Sequence, residues 1–485
     1  MEKRSQSSRL DELAALVPPA HVYLMGICGT GMGSLAGMFH ESGFRVTGSD
    51  SNVYPPMSDF LRDLGIQVRE GYHAANLQPA PDLVVVGNVI RRQNPEAVAL
   101  FASEIPFCTM PEALETFFVK GRTEIVVAGT HGKTTLSSMI AWILTAQGLD
   151  PGFMIGGLPL NFQRNYRLGT GPFFVVEGDE YDTAFFEKSP KFVHYRPHIG
   201  VITSCEFDHA DIYRNIGEIE EQFRAFVRLI HPEGSLVAWG DDPRVRDIAA
   251  SSKAPTEYYG LNSGASWSVA EPVPLAQGIR VDVKHNGSSA AHAILPLIGT
   301  HNVLNALAAV AVAERLGIDP AKSVEALGSF AGVTRRQQIL GEEAGITVME
   351  DFAHHPSAVR ETLRGVRARF PEHRLVAVFE PRTNTSRRSF FQAEYVFPFL
   401  TADVIVLRDP PGVEHIPVPD RFSSTRLAQD LRDQGKQARS FDDTDQVLAF
   451  LVETLRAGDL VVVMSNGSFD GLNGRLMESL KRRPR

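Results

Sequence analysis

Short apolar runs of strand length alternate with helix-length segments along most of the chain. This is the pattern of parallel sheets joined by crossover helices. HVYLMGI and FRVTGSD flank the helix-like GSLAGMFHESG, and PDLVVVGNVI adds a later strand, so residues 1–118 form a first block. EALETFFVKGRT reads as a connector into EIVVAGT, which opens a second block over residues 119–331. That block carries PFFVVEGDE, HIGVITSCEFDH and GSLVAWGDD as buried strands with acidic ends, and a helix within 299–317. Inside it, residues 261–295 are small, polar and alternating, which predicts a β-rich insertion or antiparallel flank. A third block, 332–485, has GITVMEDF, RLVAVFEP, ADVIVLRD and DLVVVMSN as its strands. The expected fold is α/β in three domains.

Composition narrows the function without choosing it. A chain of 485 residues with 22% charged and 43% hydrophobic residues is ordinarily globular. Its net charge of −9 argues against a general nucleic-acid or anionic-membrane binder. The N-terminal MEKRSQSSRLDEL lacks the apolar core of a secretion signal, and no apolar run is long enough to span a bilayer. Cys28, Cys108 and Cys205 are odd in number and far apart, so neither a disulfide framework nor a cysteine metal cluster is expected. A reducing cytoplasm is the expected location; the oligomeric state stays open.

Two glycine loops carry the chemistry. VVAGTHGKTTLSSMI has the order of a phosphate loop: an apolar strand, a tight polar turn, then a helix opening on Lys133 and Thr134. Backbone N–H groups at such a helix start surround an anion, the lysine reaches the outer phosphates, and the hydroxyl suits Mg²⁺. The usual upstream glycine is missing, because Val127 stands in its place, and a helix cap is the plainer alternative. Glu177, Asp179 and Glu180 follow one strand, and Asp208 and His209 another, where ligands of open α/β sheets gather. The other loop, GICGTGMGS, lies between a strand and a helix, with Asp50 ending the next strand. It is like a dinucleotide fingerprint but has Ser34 in the last glycine position, which leaves NAD, an empty structural turn or another diphosphate open.

GTHGKTT, EGDEYD, EFDHAD, GTHNVLNALAA and EDFAHHPSAV, in that order, resemble the Mur ligase family over nearly the whole chain. The shortened glycine spacing is that family's own. The resemblance implies an N-terminal Rossmann-like domain for a UDP-sugar, a central phosphate-loop ATPase domain and a Rossmann-like C-terminal domain for the acceptor. It implies an ATP- and Mg²⁺-dependent ligase that phosphorylates a carboxylate to an acyl phosphate, which an amine then attacks. GICGTGMGSLAG and EDFAHHP look like the branch whose donor is UDP-N-acetylmuramate, as does Phe226 where other branches carry a carbamylated lysine. Within the branch, GICGT, EGDEYDTAFFEKSPKFVHYRP, FEPRTNT and MSNGSF are similar to members of peptidoglycan recycling that add preformed L-alanyl-γ-D-glutamyl-meso-diaminopimelate. The alternative acceptor is L-alanine, whose ligases typically have Gly-Gly in the first loop and tyrosine where Phe352 stands.

The same resemblance distributes roles. Gly129, Thr130, His131, Gly132, Lys133, Thr134 and Thr135 would hold ATP, with His301, Asn302 and Asn305 near the adenine and Arg336 and Asp351 reaching over on closure. Thr134, Glu177 and His209 would hold metal. Cys28, Gly29, Thr30, Gly31, Met32, Gly33 and Asp50 would meet the UDP-sugar. His354, His355 and Arg382 would position the acceptor, and Lys133, Glu177, His209, His354 and Arg382 would form the catalytic group.

Overall fold

The computed structural model describes residues 13–55, 57–262 and 264–483. The polar N-terminal stretch is therefore, up to residue 12, outside the described residues. Three sheets follow one another along the chain. The first is parallel throughout, in the order Gln67–Glu70, Arg45–Asp50, His21–Met25, Leu83–Val86, Phe107–Thr109. Strand order reverses between His21–Met25 and Leu83–Val86, so a crevice opens where the first glycine loop leaves the sheet.

In the second sheet Thr123–Ala128 lies between Phe173–Gly178 and Ile199–Ile202, all parallel. Near-continuous apolar sequence suits these strands, since helices cover both faces of a parallel sheet. Ser235–Trp239 and Thr256–Gly260 extend it in parallel. Residues 261–295 then form the flank their alternation predicts: Gly278–His285 and Ser288–Leu295 pair antiparallel along their length. The third sheet runs Gln338–Glu343, Ile346–Asp351, Asp459–Met464, Arg374–Phe379, Val404–Arg408, Gln437–Phe441, with only the first strand antiparallel.

The connector between the first two sheets is helical. Thr109 and Glu112 form a capping box at Met110–Leu114, and a wider π turn over Glu115–Val119 completes the passage. The apolar core is continuous across this join: Leu24, Leu35 and Phe39 belong to the same cluster as Val126, Phe174 and Phe226. Phe226 is fully buried against Phe192, with ring centroids 5.3 Å apart. The third sheet has separate cores on its two faces.

Two carboxyls are buried at the join. Glu115 Oε2 and Glu124 Oε1 have no hydrogen-bond partner among the described residues, although Arg196 N donates to Glu124 Oε2 at 2.7 Å. Burial, reinforced by the Glu115 charge, pushes Glu124 up to about 8, and burial pushes Glu115 up to about 6. The folded chain thus keeps a proton on Glu124 that the unfolded chain releases above its ordinary value of 4.5. Stability is therefore fully present below that value and is lost as pH rises toward about 8. Glu124→Gln should gain on the wild type between pH ~5 and ~8 by at least ~1.4 kcal/mol, the worth of one pK unit. Denaturant unfolding of both proteins at the two pH values checks this; a pH-independent difference would refute it.

Candidate active site

The second glycine loop is shaped by close approach. Gly129 has φ of +127°, and a Cβ there would lie 2.2 Å from Thr203 Oγ1 and 2.9 Å from the Ser204 nitrogen. Gly132, at φ +83°, begins the helix Lys133–Ala146 without a side-chain cap, so its first N–H groups are available to an anion. The loop is laced to the segment after Ile199–Ile202. Thr130 N donates to Ser204 O at 3.1 Å, His131 N to Ser204 Oγ at 2.9 Å, and Glu206 N to Thr130 Oγ1 at 2.9 Å. Thr135 is half-buried in the first helical turn.

Lys133 sits among carboxylates. Its Nζ donates to Gly129 O at 2.6 Å and to Glu180 at 2.8 and 3.1 Å. Glu180 also receives His209 Nε2 at 3.1 Å, and its own side chain is only 2% exposed. Burial alone would lower the lysine and raise the glutamate; their mutual attraction outweighs it in both. Asp179 turns the other way, to Lys191. Thr134 Oγ1 donates to Glu177 Oε2 at 3.1 Å and Gly156 N to Glu177 Oε1 at 2.6 Å. Burial nevertheless keeps the Glu177 carboxyl above its usual range. A partly buried carboxylate beside a hydroxyl is a hard-oxygen donor set that fits Mg²⁺. Of the three expected metal ligands the structure joins Thr134 and Glu177, while His209 is held by Glu180. His209 also has φ of +55°, a conformation uncommon outside glycine.

The helix Thr300–Arg315 likewise starts at a glycine, Gly299, with no side-chain cap. Asn305 packs on the loop so tightly that a Cβ on Gly132 would be 2.6 Å from its Oδ1. Asn305 Nδ2 donates to Asn302 Oδ1 at 3.2 Å, and Asn302 Nδ2 crosses to Gln337 Oε1 at 2.9 Å. His301 is held below its usual pKa by burial, and its Nδ1 has no hydrogen-bond partner among the described residues. The Arg336 guanidinium lies 4.4 Å from the Phe352 ring centroid. Asp351 is engaged within its own domain: it accepts from Gln337 N, Ala353 N and Thr362 Oγ1.

The C-terminal domain closes the remaining side. His354 Nε2 is 3.7 Å from Asp208 Oδ2. His355 caps the helix Pro356–Arg369 and is 6% exposed; burial and the neighbouring His131 lower its pKa to about 4. Arg382 lies against Gly467, where a Cβ would be 2.1 Å from its Cδ, and reaches Glu380 at 3.4 Å. Arg387 braces the loop by donating to the carbonyls of Arg382, Pro411 and Gly412. Asn384 Nδ2 donates to Asp211 Oδ2 of the central domain at 2.8 Å.

In the first domain Cys28 N donates to Asp50 Oδ2 at 3.0 Å, which fixes the glycine loop across two strands. Burial pushes the Cys28 thiol up to about 11, so it serves as a neutral loop residue. The helix Thr30–Glu41 starts uncapped at Gly29. A Cβ on Gly33 would be 2.2 Å from Met57 Cε, and one on Gly31 3.3 Å from Met110 Cε. Met32 is buried beneath. Glu206 gains importance that its sequence position gave little sign of, and Glu180, expected only among the strand-end carboxylates, is the partner of Lys133.

Three family models match successive parts of the chain: the Mur ligase family catalytic domain over residues 21–120, the Mur ligase middle domain over 127–313 and the Mur ligase glutamate ligase domain over 335–467. The chain is 38% identical over 463 residues, 95% of its length and 98% of the relative's, to the UDP-N-acetylmuramate–L-alanyl-γ-D-glutamyl-meso-2,6-diaminoheptandioate ligase of Escherichia coli K12. It is 35% identical, over 96% of its length and 98% of the relative's, to the UDP-N-acetylmuramate–L-alanine ligase of Burkholderia cenocepacia. Among solved structures, a murein peptide ligase from Psychrobacter arcticus superposes with a TM-score of 0.71 at 35% identity, covering 96% of this chain and all of that one.

Proposed function

The chain belongs to the Mur ligase family, and from that membership we propose that it uses ATP to join UDP-N-acetylmuramate to L-alanyl-γ-D-glutamyl-meso-diaminopimelate through an amide bond. The full-length similarity to the E. coli ligase of that acceptor carries the reading. L-Alanine is the second acceptor, on the similarity to the Burkholderia ligase. ADP release that requires both UDP-N-acetylmuramate and the tripeptide is the expected result; release with neither would reject the reading. Among the described residues, no helix is long and apolar enough to cross a membrane.

A carboxylate resists amine attack until one oxygen becomes a leaving group, and transfer of the γ-phosphoryl group to it supplies that. The work left to the protein is positioning and charge neutralisation. Lys133, held at the loop by Gly129 O, is the cation placed for the transferring phosphoryl group. Arg336 of the C-terminal domain has its pKa lowered by burial, with the Asp351 and Glu177 carboxylates as the charges that oppose this. His354 and Arg382 orient the incoming amine and its carboxylates, and Cys28–Gly33 holds the UDP diphosphate on the helix start at Thr30.

Thr134 and Glu177 would hold Mg²⁺, which when bound would neutralise phosphate charge. Glu177→Gln should raise the Mg²⁺ concentration for half-maximal rate by about tenfold, since one charged oxygen ligand is lost. An unchanged magnesium titration would make Glu177 a structural acceptor for Gly156 N and nothing more.

A further inference from the structure

We propose that His131 Nε2, Glu206 Oε2 and His355 Nδ1 form a binding site for a transition cation, Zn²⁺ foremost, which ties the C-terminal domain to the phosphate loop. The three atoms lie within 4.8 Å of one another. They come from three separate places: the glycine loop, the segment after Ile199–Ile202, and the cap of Pro356–Arg369 in the C-terminal domain.

Two of the three separations are those of a coordination shell, and the third is bounded at 4.8 Å. With Zn–N and Zn–O bonds of about 2.0–2.1 Å, tetrahedral ligands stand roughly 3.3–3.4 Å apart. Glu206 Oε2 is 3.5 Å from His131 Nε2 and 3.4 Å from His355 Nδ1. The His131 separation is long for a hydrogen bond, and its buried Nε2 has no hydrogen-bond partner among the described residues.

The outer contacts are those a metal ligand needs. His355 Nε2 lies 3.2 Å from the Phe207 carbonyl, which can only accept, so the proton sits on Nε2 and Nδ1 carries the lone pair. That lone pair accepts Ser357 N at 3.3 Å, a long contact with which a cation beside Glu206 would compete. Ser357 Oγ donates to Glu206 Oε2 at 2.6 Å and orients that carboxylate. An imidazole with its second nitrogen on a carbonyl, beside a hydrogen-bonded carboxylate, is the usual second shell of a zinc site.

Two imidazoles and one carboxylate favour Zn²⁺ over Mg²⁺, which sets this site apart from the oxygen pair Thr134 and Glu177. A second group, Glu112, Glu187 and His194, has comparable spacing, but its Glu112 is committed to the Thr109 capping box. The assignment rests on ligand geometry and stands whether or not the ligase reading holds. An ion here would link the two domains and oppose their separation.

The experiment is calorimetric titration of the full-length, chelator-treated protein with Zn²⁺ alone, repeated in millimolar Mg²⁺. One site that survives the magnesium is expected. Glu206→Gln and His355→Asn should each weaken it tenfold or more, and His194→Ala should leave it in place. The proposal falls if no site is tighter than millimolar, if Mg²⁺ displaces the ion, or if both variants bind as the wild type does. Should a variant fail to fold, the visible spectrum of the Co²⁺-loaded wild type decides. Intense four- or five-coordinate bands support the site, and a pale six-coordinate spectrum overturns it.

Discussion

Lys133→Ala should lower kcat by at least ~10³-fold, the scale for removing a group that stabilises charge in the transition state. The structure adds that the same change is not neutral to folding. Lys133 neutralises Glu180, whose side chain is 2% exposed. Without the lysine a buried carboxylate keeps, among the described residues, only His209 as its side-chain partner, and leaving one member of a buried pair alone costs about 3–5 kcal/mol. The double variant Lys133→Ala, Glu180→Gln separates the two effects. It should recover most of the lost stability in denaturant unfolding while its rate stays at the level of the single variant. Recovery of rate along with stability would mean that Lys133 is structural, and near-normal turnover of the single variant would remove it from the chemistry altogether.

Preference for the tripeptide over free L-alanine should reach ~10²-fold or more in kcat/KM, equivalent to about 2.7 kcal/mol. The tripeptide presents extra carboxylates and a second amine, each able to form a charge-assisted hydrogen bond. Binding energy from those remote groups can be used to position the attacking amine. Arg382, Asn384 and Arg387 are the basic and amide groups nearest in sequence, and the structure divides their labour. Arg387 braces its loop and Asn384 holds Asp211, whereas the Arg382 side chain, among the described residues, makes only long polar contacts, at 3.4 Å, to Glu380. Arg382 is therefore the one free to meet an acceptor carboxylate. Arg382→Ala should reduce kcat/KM for the tripeptide far more than for L-alanine. Equal turnover of the two acceptors by the wild type would move the chain to the L-alanine reading and leave fold and reaction type untouched.

The parts legible in the sequence were those written locally. Apolar runs marked the strands, alternation marked the flank at 261–295, and glycines marked both loops, because each depends on neighbours within a few residues. The pairing of charges was not legible. Glu177, Asp179 and Glu180 are nearly adjacent, yet they turn to Thr134, Lys191 and Lys133. Strand alternation cannot sort them, since Asp179 and Glu180 lie just past Phe173–Gly178 in irregular backbone. Glu206 was hidden for the same reason: its partners His131 and His355 stand 75 and 149 positions away, the first brought near by the lacing of the glycine loop to its neighbouring segment and the second by the packing of the C-terminal domain. His209 was expected at a metal and is held by Glu180, a contact between two loops that no spacing rule reports.

The shared core of the first two domains makes acceptor choice the separable trait of this chain. Leu24 and Phe39 belong to one apolar mass with Val126 and Phe174, so the two glycine loops sit on one unit. The C-terminal domain has cores largely its own, joined by Ile298 of the central domain. It meets that unit through polar contacts that include Asn302 with Gln337, Ser357 with Glu206, His354 with Asp208 and Asn384 with Asp211, and through Phe207 against Phe390 and Phe391. A chimera that exchanges this module between relatives, together with those few partners, would change what is attached while the means of activation stays the same. Evolution could retarget the enzyme by the same route, one interface at a time.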